Sequence, residues 1–478
     1  MYEELRNFRK LINVIFSTQK SIEICSMMNK ELLQKYNVPG PRYTSYPTVP
    51  FWKTQDLHAA DWLQQLAQQQ KVASSIGLYI HLPFCESLCT FCGCHKRITK
   101  NHQVETPYID SVLKEWDLYQ PYLSEQTHIK ELHLGGGTPT FFAPHELVRL
   151  TKAFFKRQQF DPTTCDLSFE AHPGSTSAEH LQALYEVGYR RVSFGIQDYD
   201  PQVQKAIHRV QSFDLVQRTH QKAKDLGYSV NHDLVYGLPF QNMTGFADTI
   251  EKTISLLPER IALYGYAHVP WVKGTGQRGY DEANLPQDAQ KRALYEMAYE
   301  KLLDAGYLAI GMDHFALPTD ALALAFENKS LHRNFMGYAH RQTDLMLGLG
   351  MSAISDSWTA FAQNDKSVEG YQLQIDKGEL AVFKGHFLNK EELIIRRHIL
   401  DLMCHFATKW NPSLQANGFY TQIISKLDGL LQDELIAIDS TQLSILPKGY
   451  AFVRNVCMAF DLDLQRHTPD KPLFSATI

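Results

Sequence analysis

From Ser75 to Val269 a short run rich in β-branched and aromatic residues is followed by an amphipathic helical pattern, six times over. The runs are Ile76–Leu82, Ile129–Leu134, Asp166–Glu170, Arg191–Gln197, Ser229–Tyr236 and Ile261–Val269. Helical patterns such as Tyr108–Tyr119, His145–Lys156 and Ala178–Val187 lie between them. Strands alternating with helices predict a parallel sheet with right-handed crossovers. Each run ends in chemically able groups: Tyr79 and His81, then Gly135-Gly136-Gly137-Thr138, Glu170, Gln197, Asp233 and His268. In a βα barrel the C-terminal strand ends converge on one face, and sites form there. The expectation is an α/β fold, a TIM-like partial (β/α)6 barrel open on one side. A doubly wound sheet is the alternative that the sequence leaves open.

The whole chain has 478 residues, enough for a large barrel, a second domain and appendages. Tyr307–Pro318 and Leu331–Trp358 are apolar and Gly-rich, and are expected to extend or cover the barrel. After about residue 370 the style changes. Asn389 with Glu392 resembles an N-cap and its capping-box partner, and Ile395, Ile399, Leu402, Met403 and Phe406 line one helix face. Leu435–Ile438 and Leu443–Leu446 flank Asp439-Ser440 as a hairpin. Three segments are expected: 1–55 covering the active site, 56–365 the barrel with its extension, and 366–478 a helical domain with a wing-like hairpin. Residues 1–26 precede the patterned sequence, are read as either an upstream-start extension or a non-native segment, and are assigned no function.

No apolar run approaches the roughly 18 residues of a membrane span, and the Leu11–Phe16 run is too short for a signal peptide. A cytoplasmic protein without a membrane partner is expected. Lys and Arg number 47 against 52 Asp and Glu, a net charge of −5, so no global field draws nucleic acid. Any anionic partner must be held by local Arg and Lys.

Four of the 8 cysteines fall in Cys85-Glu-Ser-Leu-Cys89-Thr-Phe-Cys92-Gly-Cys94, directly after the first run. A disulfide scaffold belongs to shorter, denser chains. C-x3-C-x2-C on so tight a loop suits an iron–sulfur cluster. Zinc is the alternative, although structural zinc usually takes two separated ligand pairs and no second pair is present. Three ligands to a four-iron cubane would leave one iron open to a substrate or cofactor.

With Phe91 before its last cysteine, this loop resembles the signature of the radical S-adenosylmethionine (SAM) superfamily. Several further motifs are similar to those of the oxygen-independent coproporphyrinogen III oxidases, also called coproporphyrinogen dehydrogenases. They include Tyr79-Ile-His81-Leu-Pro83-Phe84-Cys85, Gly40-Pro41-Arg42-Tyr43-Thr44-Ser45-Tyr46-Pro47-Thr48, Gly135-Gly-Gly-Thr-Pro-Thr140 and Gly195-Ile-Gln197-Asp198. Asp233-Leu-Val-Tyr-Gly-Leu-Pro239, Tyr266-Ala-His268, Gly311-Met-Asp-His-Phe315, Leu331-His-Arg-Asn-Phe335 and Arg454-Asn-Val-Cys457-Met458 continue the series. The likeness runs from about Lys30 to the C-terminus. Each motif is weak alone; their number and order carry the resemblance.

The resemblance implies a [4Fe–4S] cluster on Cys85, Cys89 and Cys92, with Cys94 not a ligand. It implies SAM as cofactor, two molecules of it. Gly136, Gly137 and Thr138 would face the SAM amino group, and Glu170 the ribose. Gln197, Arg209 and Asp233 match positions that in this family contact a second SAM. Phe91, Ala267 and Ile354 match adenosine-side contacts, against an ordinary reading as core packing. Tyr79 would pack on the cluster or SAM, and His81 would hydrogen-bond the substrate or supply a proton; both are taken as catalytic. A lone strand histidine is otherwise usually a satisfied core residue. The implied substrate, coproporphyrinogen III, carries four carboxylates, so guanidinium clamps are expected. Arg42 and Arg333 are the leading candidates, then Lys96 and Arg97, with solvated surface charge the reading preferred for Lys96. A reduced electron-donor protein and a monomeric state complete the expected partners.

One departure from the family stands after Glu170, where this chain reads Ala-His172-Pro173-Gly174. The oxidases usually carry an Asp before that proline and an Arg after it, and Gly174 is closer to a haem-binding chaperone branch of the superfamily. That chaperone is the competing function. A zinc-stabilised nucleic-acid-binding protein is a third, opposed by the acidic balance.

Overall fold

The computed structural model describes residues 30–54, 57–69, 75–270, 276–277, 279–416, 418–466 and 473–477. The expectation for residues 1–26 lies outside these described residues.

The six runs fold as strands β1 (Ser75–Leu82), β2 (His128–Gly136), β3 (Asp166–Ala171), β4 (Arg191–Gln197), β5 (Ser229–Tyr236) and β6 (Arg260–Gly265). They lie side by side in chain order, all parallel. A doubly wound sheet would reverse its order at a switch point. No reversal occurs between β1 and β6, so the winding is single, as in a barrel. The last run is shorter than expected: β6 ends at Gly265, and Tyr266 to Val269 leave the sheet. Asp200 caps the short helix Pro201–Ala206, accepting from the N–H groups of Gln202 and Val203.

Both sheet edges continue. Beside β6 run the antiparallel strands β7 (Leu308–Ile310) and β8 (His314–Ala316). Beside β1 lies a further parallel strand, β9 (Leu345–Leu349), followed by antiparallel β10 (Ile354–Asp356), β11 (Ala360–Asn364) and β12 (Val382–Phe387). The segments expected to extend or cover the barrel thus extend its sheet at both edges.

Alternation sets which side chains face the site. In β1, Leu78, Ile80 and Leu82 are fully buried in the main apolar core with helix residues such as Tyr108, Val112 and Trp116. Tyr79 and His81 therefore point to the opposite face. In β2, Leu132 and Leu134 bury likewise, and His133 joins Tyr79.

A buried carboxyl fastens the β9 end to β1. Glu115, on helix Glu105–Tyr119, accepts from Gly350 N (2.8 Å), Asn364 Nδ2 (2.7 Å) and Tyr371 Oη (2.6 Å). Beside it, Tyr108 Oη donates to His81 O and accepts from Met351 N. Burial pushes Glu115 up from 4.5 to about 7, outweighing its three donors. An acid raised in the folded state favours folding while it is protonated, and that contribution is lost as pH rises through the window 4.5–7. The loss is about 3 kcal/mol. Relative to Glu115→Gln, the parent's urea midpoint should therefore fall between pH 5 and pH 8. A constant difference would refute the raised carboxyl.

The described residues form two compact units, one of residues 30–46 with those from 395 on, the other of those from 47 to 394. These boundaries differ from 55/56 and 365/366. Pairing of β12 with β11 carries the sheet past residue 366. In the smaller unit, Arg454 donates to the carbonyls of Gly40 and Pro41, and Tyr43 Oη donates to Asp461 (3.0 Å). The N-terminal stretch up to Tyr46 is thereby tied to the C-terminal helices. The smaller unit also holds the expected hairpin, Ile436–Ile438 with Gln442–Ile445. A third strand, Ala407–Lys409, joins it.

Candidate active site

The cysteine loop leaves β1 through Pro83 and Phe84. Thr99 N donates to Cys85 O, and Arg97 N to Pro83 O, closing the loop at its base. Cys85, Cys89 and Cys92 are half-buried; Cys94 is exposed. Thr138 Oγ1 donates to Cys85 Sγ at 3.3 Å, and Arg209 Nη1 reaches Cys89 Sγ at 3.6 Å. Burial pushes the Cys85 thiol up to about 11, against the Thr138 hydroxyl. A hydrogen bond from the Cys94 thiol pulls Cys92 down to about 6 despite its burial, helped by Lys96.

Among the described residues no three His, Cys, Asp or Glu side chains converge tightly enough to hold a single metal ion. Besides burial, the charges of Cys92 and Cys89 both raise the Cys85 thiol, so the three sulfurs lie near one another. A cluster of several irons takes thiolates set at separate corners, and this donor set fits one. Lys96 differs from its expected role as solvated charge. Its Nζ donates to the carbonyls of Cys92 (3.2 Å) and Cys94 (3.3 Å), bracing the loop. Arg97 forms an exposed ion pair with Glu369.

On the inner face of the sheet a polar layer crosses the strands. Tyr79, His133 and Ser168 are register partners across β1, β2 and β3. His133 stacks on Tyr79 (6.1 Å between centroids, 16°), and its Nδ1 meets Ser168 Oγ at 2.8 Å. Its Nε2 lies 3.6 Å from Glu170 Oε1. Glu170 Oε2 accepts from Gly136 N at 3.1 Å. Although burial opposes it, His133 and the Gly136 N–H hold Glu170 below the usual carboxylate range. Farther along, Ser193 Oγ donates to Asp233 Oδ2 (2.7 Å) and Asn231 Nδ2 to Asp233 Oδ1 (2.8 Å), while burial raises the Asp233 carboxyl.

His81 is almost fully buried, and both its ring nitrogens are engaged. Nε2 lies 2.8 Å from His95 O, and a carbonyl only accepts, so Nε2 carries the proton. Burial lowers the ring's pKa and keeps it neutral. Nδ1 then accepts from Tyr79 Oη at 3.1 Å. In this arrangement His81 aligns Tyr79 and has no ring nitrogen left for a substrate, which departs from the expected proton-donor geometry.

Gln197 sits at a bulge between β4 and β5 with φ 70°, a left-handed conformation in a buried non-glycine residue. Such strain persists only where the surroundings enforce it. Arg209 Nη2 donates to Gly195 O at 2.6 Å, while its buried Nε has no protein partner. Gln211, not anticipated from the sequence, holds Gly195 O and Ile196 O. Phe91 packs against the apolar cluster of Val203, Ile207, Val235, Leu238 and Tyr266, and Gln277 Nε2 donates to the carbonyls of both Phe91 and Ala267. Ile354 opens β10 beside the stacked pair Trp52 and Phe361. Arg333 is buried with its guanidinium over the Tyr338 ring (4.4 Å). Arg42 belongs to the other compact unit and is half-buried. His172 Nδ1 accepts from Gly174 N (2.9 Å), and burial, then Arg209, lowers its ring to about 3.

Residues 79–253 match the family model described as the Radical SAM superfamily. The chain is 36% identical over 439 residues to the oxygen-independent coproporphyrinogen III oxidase of Pseudomonas aeruginosa, covering 90% of this chain and 95% of that one. It belongs to the oxygen-independent coproporphyrinogen III oxidase family. The relative of that name from Escherichia coli is 35% identical over 441 residues, with 91% and 95% covered. The solved structure of coproporphyrinogen III oxidase (HemN) from Escherichia coli, described as a radical SAM enzyme, superposes with a TM-score of 0.84 at 34% identity. That match covers 88% of this chain and 98% of the other. For a radical SAM oxidoreductase of this family, a [4Fe–4S] cluster and SAM are the implied cofactors. These relatives do not favour the haem-chaperone alternative. No helix among the described residues is long and apolar enough to cross a membrane.

Proposed function

We propose that this protein converts two propionate side chains of coproporphyrinogen III to vinyl groups without oxygen, giving protoporphyrinogen IX. One observation carries the reading. The loop bearing Cys85, Cys89 and Cys92 opens at the end of β1, beside an inner face presenting Tyr79, Glu170 and Asp233, in a chain that matches a member of this oxidase family over 90% of its length. Cys85, Cys89 and Cys92 would hold the [4Fe–4S] cluster. With SAM bound, the cluster would supply hydrogen-atom abstraction at the propionate β-carbon, and loss of carbon dioxide with one electron passed to an external acceptor would give the vinyl group.

The chain's own residues position the reactants. Gly136, Gly137 and Thr138 bring bare backbone and one hydroxyl beside the loop, and Glu170, kept ionised, accepts from ribose hydroxyls. Gln197, Arg209 and Asp233 are set to hold a second SAM, and the buried Arg209 Nε is a donor with capacity to spare. Phe91, Ala267 and Ile354 border the adenosine. Tyr79, aligned by His81, packs against the reacting groups. Arg333 is a partner for a substrate carboxylate. The electron would come from a reduced donor protein, and the enzyme would act as a cytoplasmic monomer.

The test is anaerobic reconstitution of the cluster, followed by SAM, a reductant and coproporphyrinogen III. Vinyl product and 5′-deoxyadenosine are expected together. Neither product, with an intact cluster, would refute the reading.

His133 is a positioning residue in this scheme. His133→Phe keeps the stack on Tyr79 but removes the hydrogen bonds to Ser168 and Glu170. The affinity for SAM should fall roughly tenfold, by the loss of a contact that orients a charged group, with iron content unchanged. Unaltered SAM binding, measured by equilibrium dialysis, would exclude the role.

A further inference from the structure

The motif Gly311-Met-Asp-His-Phe315 has no part in the chemistry assigned so far, yet it puts a carboxylate–imidazole pair on the inner face of the sheet. Strand β8 pairs His314 with Ala262 of β6, and Ala262 is paired in turn with Asp233 of β5. Ile261, Leu263 and Phe315 are buried in the main apolar core, so Ala262 and His314 point to the opposite face, as Asp233 does. His314 thus stands in one row with Asp233, two strands or about 10 Å away. The residue between them is only an alanine.

The pair is firmly held. Asp313 Oδ1 accepts from His314 Nδ1 at 2.6 Å, and Asp313 O accepts from Leu263 N at 2.7 Å, which fixes the turn to β6. The His314 ring packs edge-on with Tyr264 (5.8 Å between centroids, 84°) and with Tyr338 (5.5 Å, 82°). Tyr338 in turn closes over Gly311, whose φ is 62° and where a Cβ would collide with the Tyr338 ring. Tyr338 belongs to a hairpin of His332–Asn334 with Gly337–Ala339, whose tip carries Phe335 edge-on to Tyr79 (4.9 Å). One short hairpin therefore packs on both His314 and Tyr79, the residue aligned by His81.

One group of the pair is unused. A carboxylate only accepts, so Nδ1 carries the proton and the neutral ring presents a bare Nε2. Among the described residues that nitrogen has no hydrogen-bond partner, and 11% of the side chain stays exposed for a ligand to reach. His81 and His133 each have both ring nitrogens engaged. Of these three, His314 alone has an acceptor to offer.

We propose that His314 Nε2 accepts from the N–H of the pyrrole ring whose propionate is reacting, with Asp313 positioning the imidazole. This rests on the proposed function and adds a catalytic residue to it. Once the β-carbon has lost its hydrogen and one electron has passed to the external acceptor, positive charge spreads from that carbon to the pyrrole nitrogen. The bond from the α-carbon to the carboxylate then breaks. Its electron pair forms the vinyl double bond, carbon dioxide leaves, and the charge is cancelled without any proton moving. A hydrogen bond from that N–H strengthens as its nitrogen becomes cationic, so His314 favours this step more than it favours binding.

The test uses the full chain with its cluster reconstituted anaerobically, and compares the parent with His314→Leu, His314→Gln, Asp313→Asn and the double variant of Asp313→Asn with His314→Leu. In His314→Leu, kcat for vinyl product should fall on the order of ten- to a hundredfold, the loss of a charge-assisted hydrogen bond. KM for coproporphyrinogen III, SAM affinity and iron content should stay within about threefold, because the bond matters most after binding. His314→Gln, whose amide oxygen can accept where Nε2 did, should recover most of the turnover. Asp313→Asn should lower kcat alone but add nothing to His314→Leu, since it acts only through the ring. Parent-like kcat in His314→Leu, a loss that falls instead on KM, SAM affinity or iron content, or no recovery in His314→Gln would overturn the role of His314. Additive losses in the double variant would overturn that of Asp313. A parent protein that makes no vinyl product would refute the substrate reading itself, and the proposed role with it.

Discussion

Replacing Cys89 with serine should strip the iron and abolish 5′-deoxyadenosine formation, whereas Cys94→Ser should retain the iron. The two residues share a ten-residue loop but not an environment. Cys89 is half-buried with the Arg209 guanidinium near its sulfur, a cation that stabilises an anionic ligand. Cys94 is exposed and donates its thiol hydrogen to Cys92. A serine at 89 offers a hydroxyl that does not ionise where a thiolate is needed. A serine at 94 can still donate to Cys92. Iron and sulfide analysis of both proteins after anaerobic reconstitution decides the assignment. Equal iron loss in the two variants would make Cys94 a fourth ligand and remove the open coordination position the proposed chemistry depends on.

Much of this was legible because the barrel's logic is periodic. Six runs with polar residues at their ends are enough to place Tyr79, Glu170, Gln197 and Asp233 on one face, since side chains alternate along a strand. What periodicity cannot show is partnership between strands. His133 sits in Leu132-His133-Leu134, an alternation that marks it as inward-facing, yet its link to Glu170 depends on the register of β2 with β3. Arg209 lies outside any strand and reaches the site only because the turn after Pro201–Ala206 returns to Gly195. The domain boundaries were hidden for the same reason: Arg454 and Asp461 join Pro41 and Tyr43 across separations of 413 and 418 residues. The edge strands β7 to β10 read only as apolar, Gly-rich segments, because such short strands carry too few residues to show a period.

Gly136→Ala should damage catalysis severely. Gly136 has φ 111°, a conformation that costs a residue with a Cβ about 1–2 kcal/mol. The new methyl would also stand 2.7 Å from the His81 ring. Neither side can yield easily. The ring is held by Tyr79 Oη at one nitrogen and His95 O at the other. The Gly136 backbone is held by its own N–H on Glu170. Relief must therefore break the Tyr79–His81 alignment or the Glu170 contact, and overpacking of this kind costs a further 1–3 kcal/mol or so. A total of about 3 kcal/mol corresponds to a loss on the order of a hundredfold in turnover if it falls on the reacting geometry. Gly93→Ala is the control. It lies within the cysteine loop itself, but a methyl there meets nothing within 4 Å. That variant should keep turnover within about twofold, because added bulk without a collision displaces no partner. Turnover of SAM to 5′-deoxyadenosine, measured for both at equal iron content, separates the two cases. If Gly136→Ala matches Gly93→Ala, the close packing of β2 against His81 has no part in the chemistry.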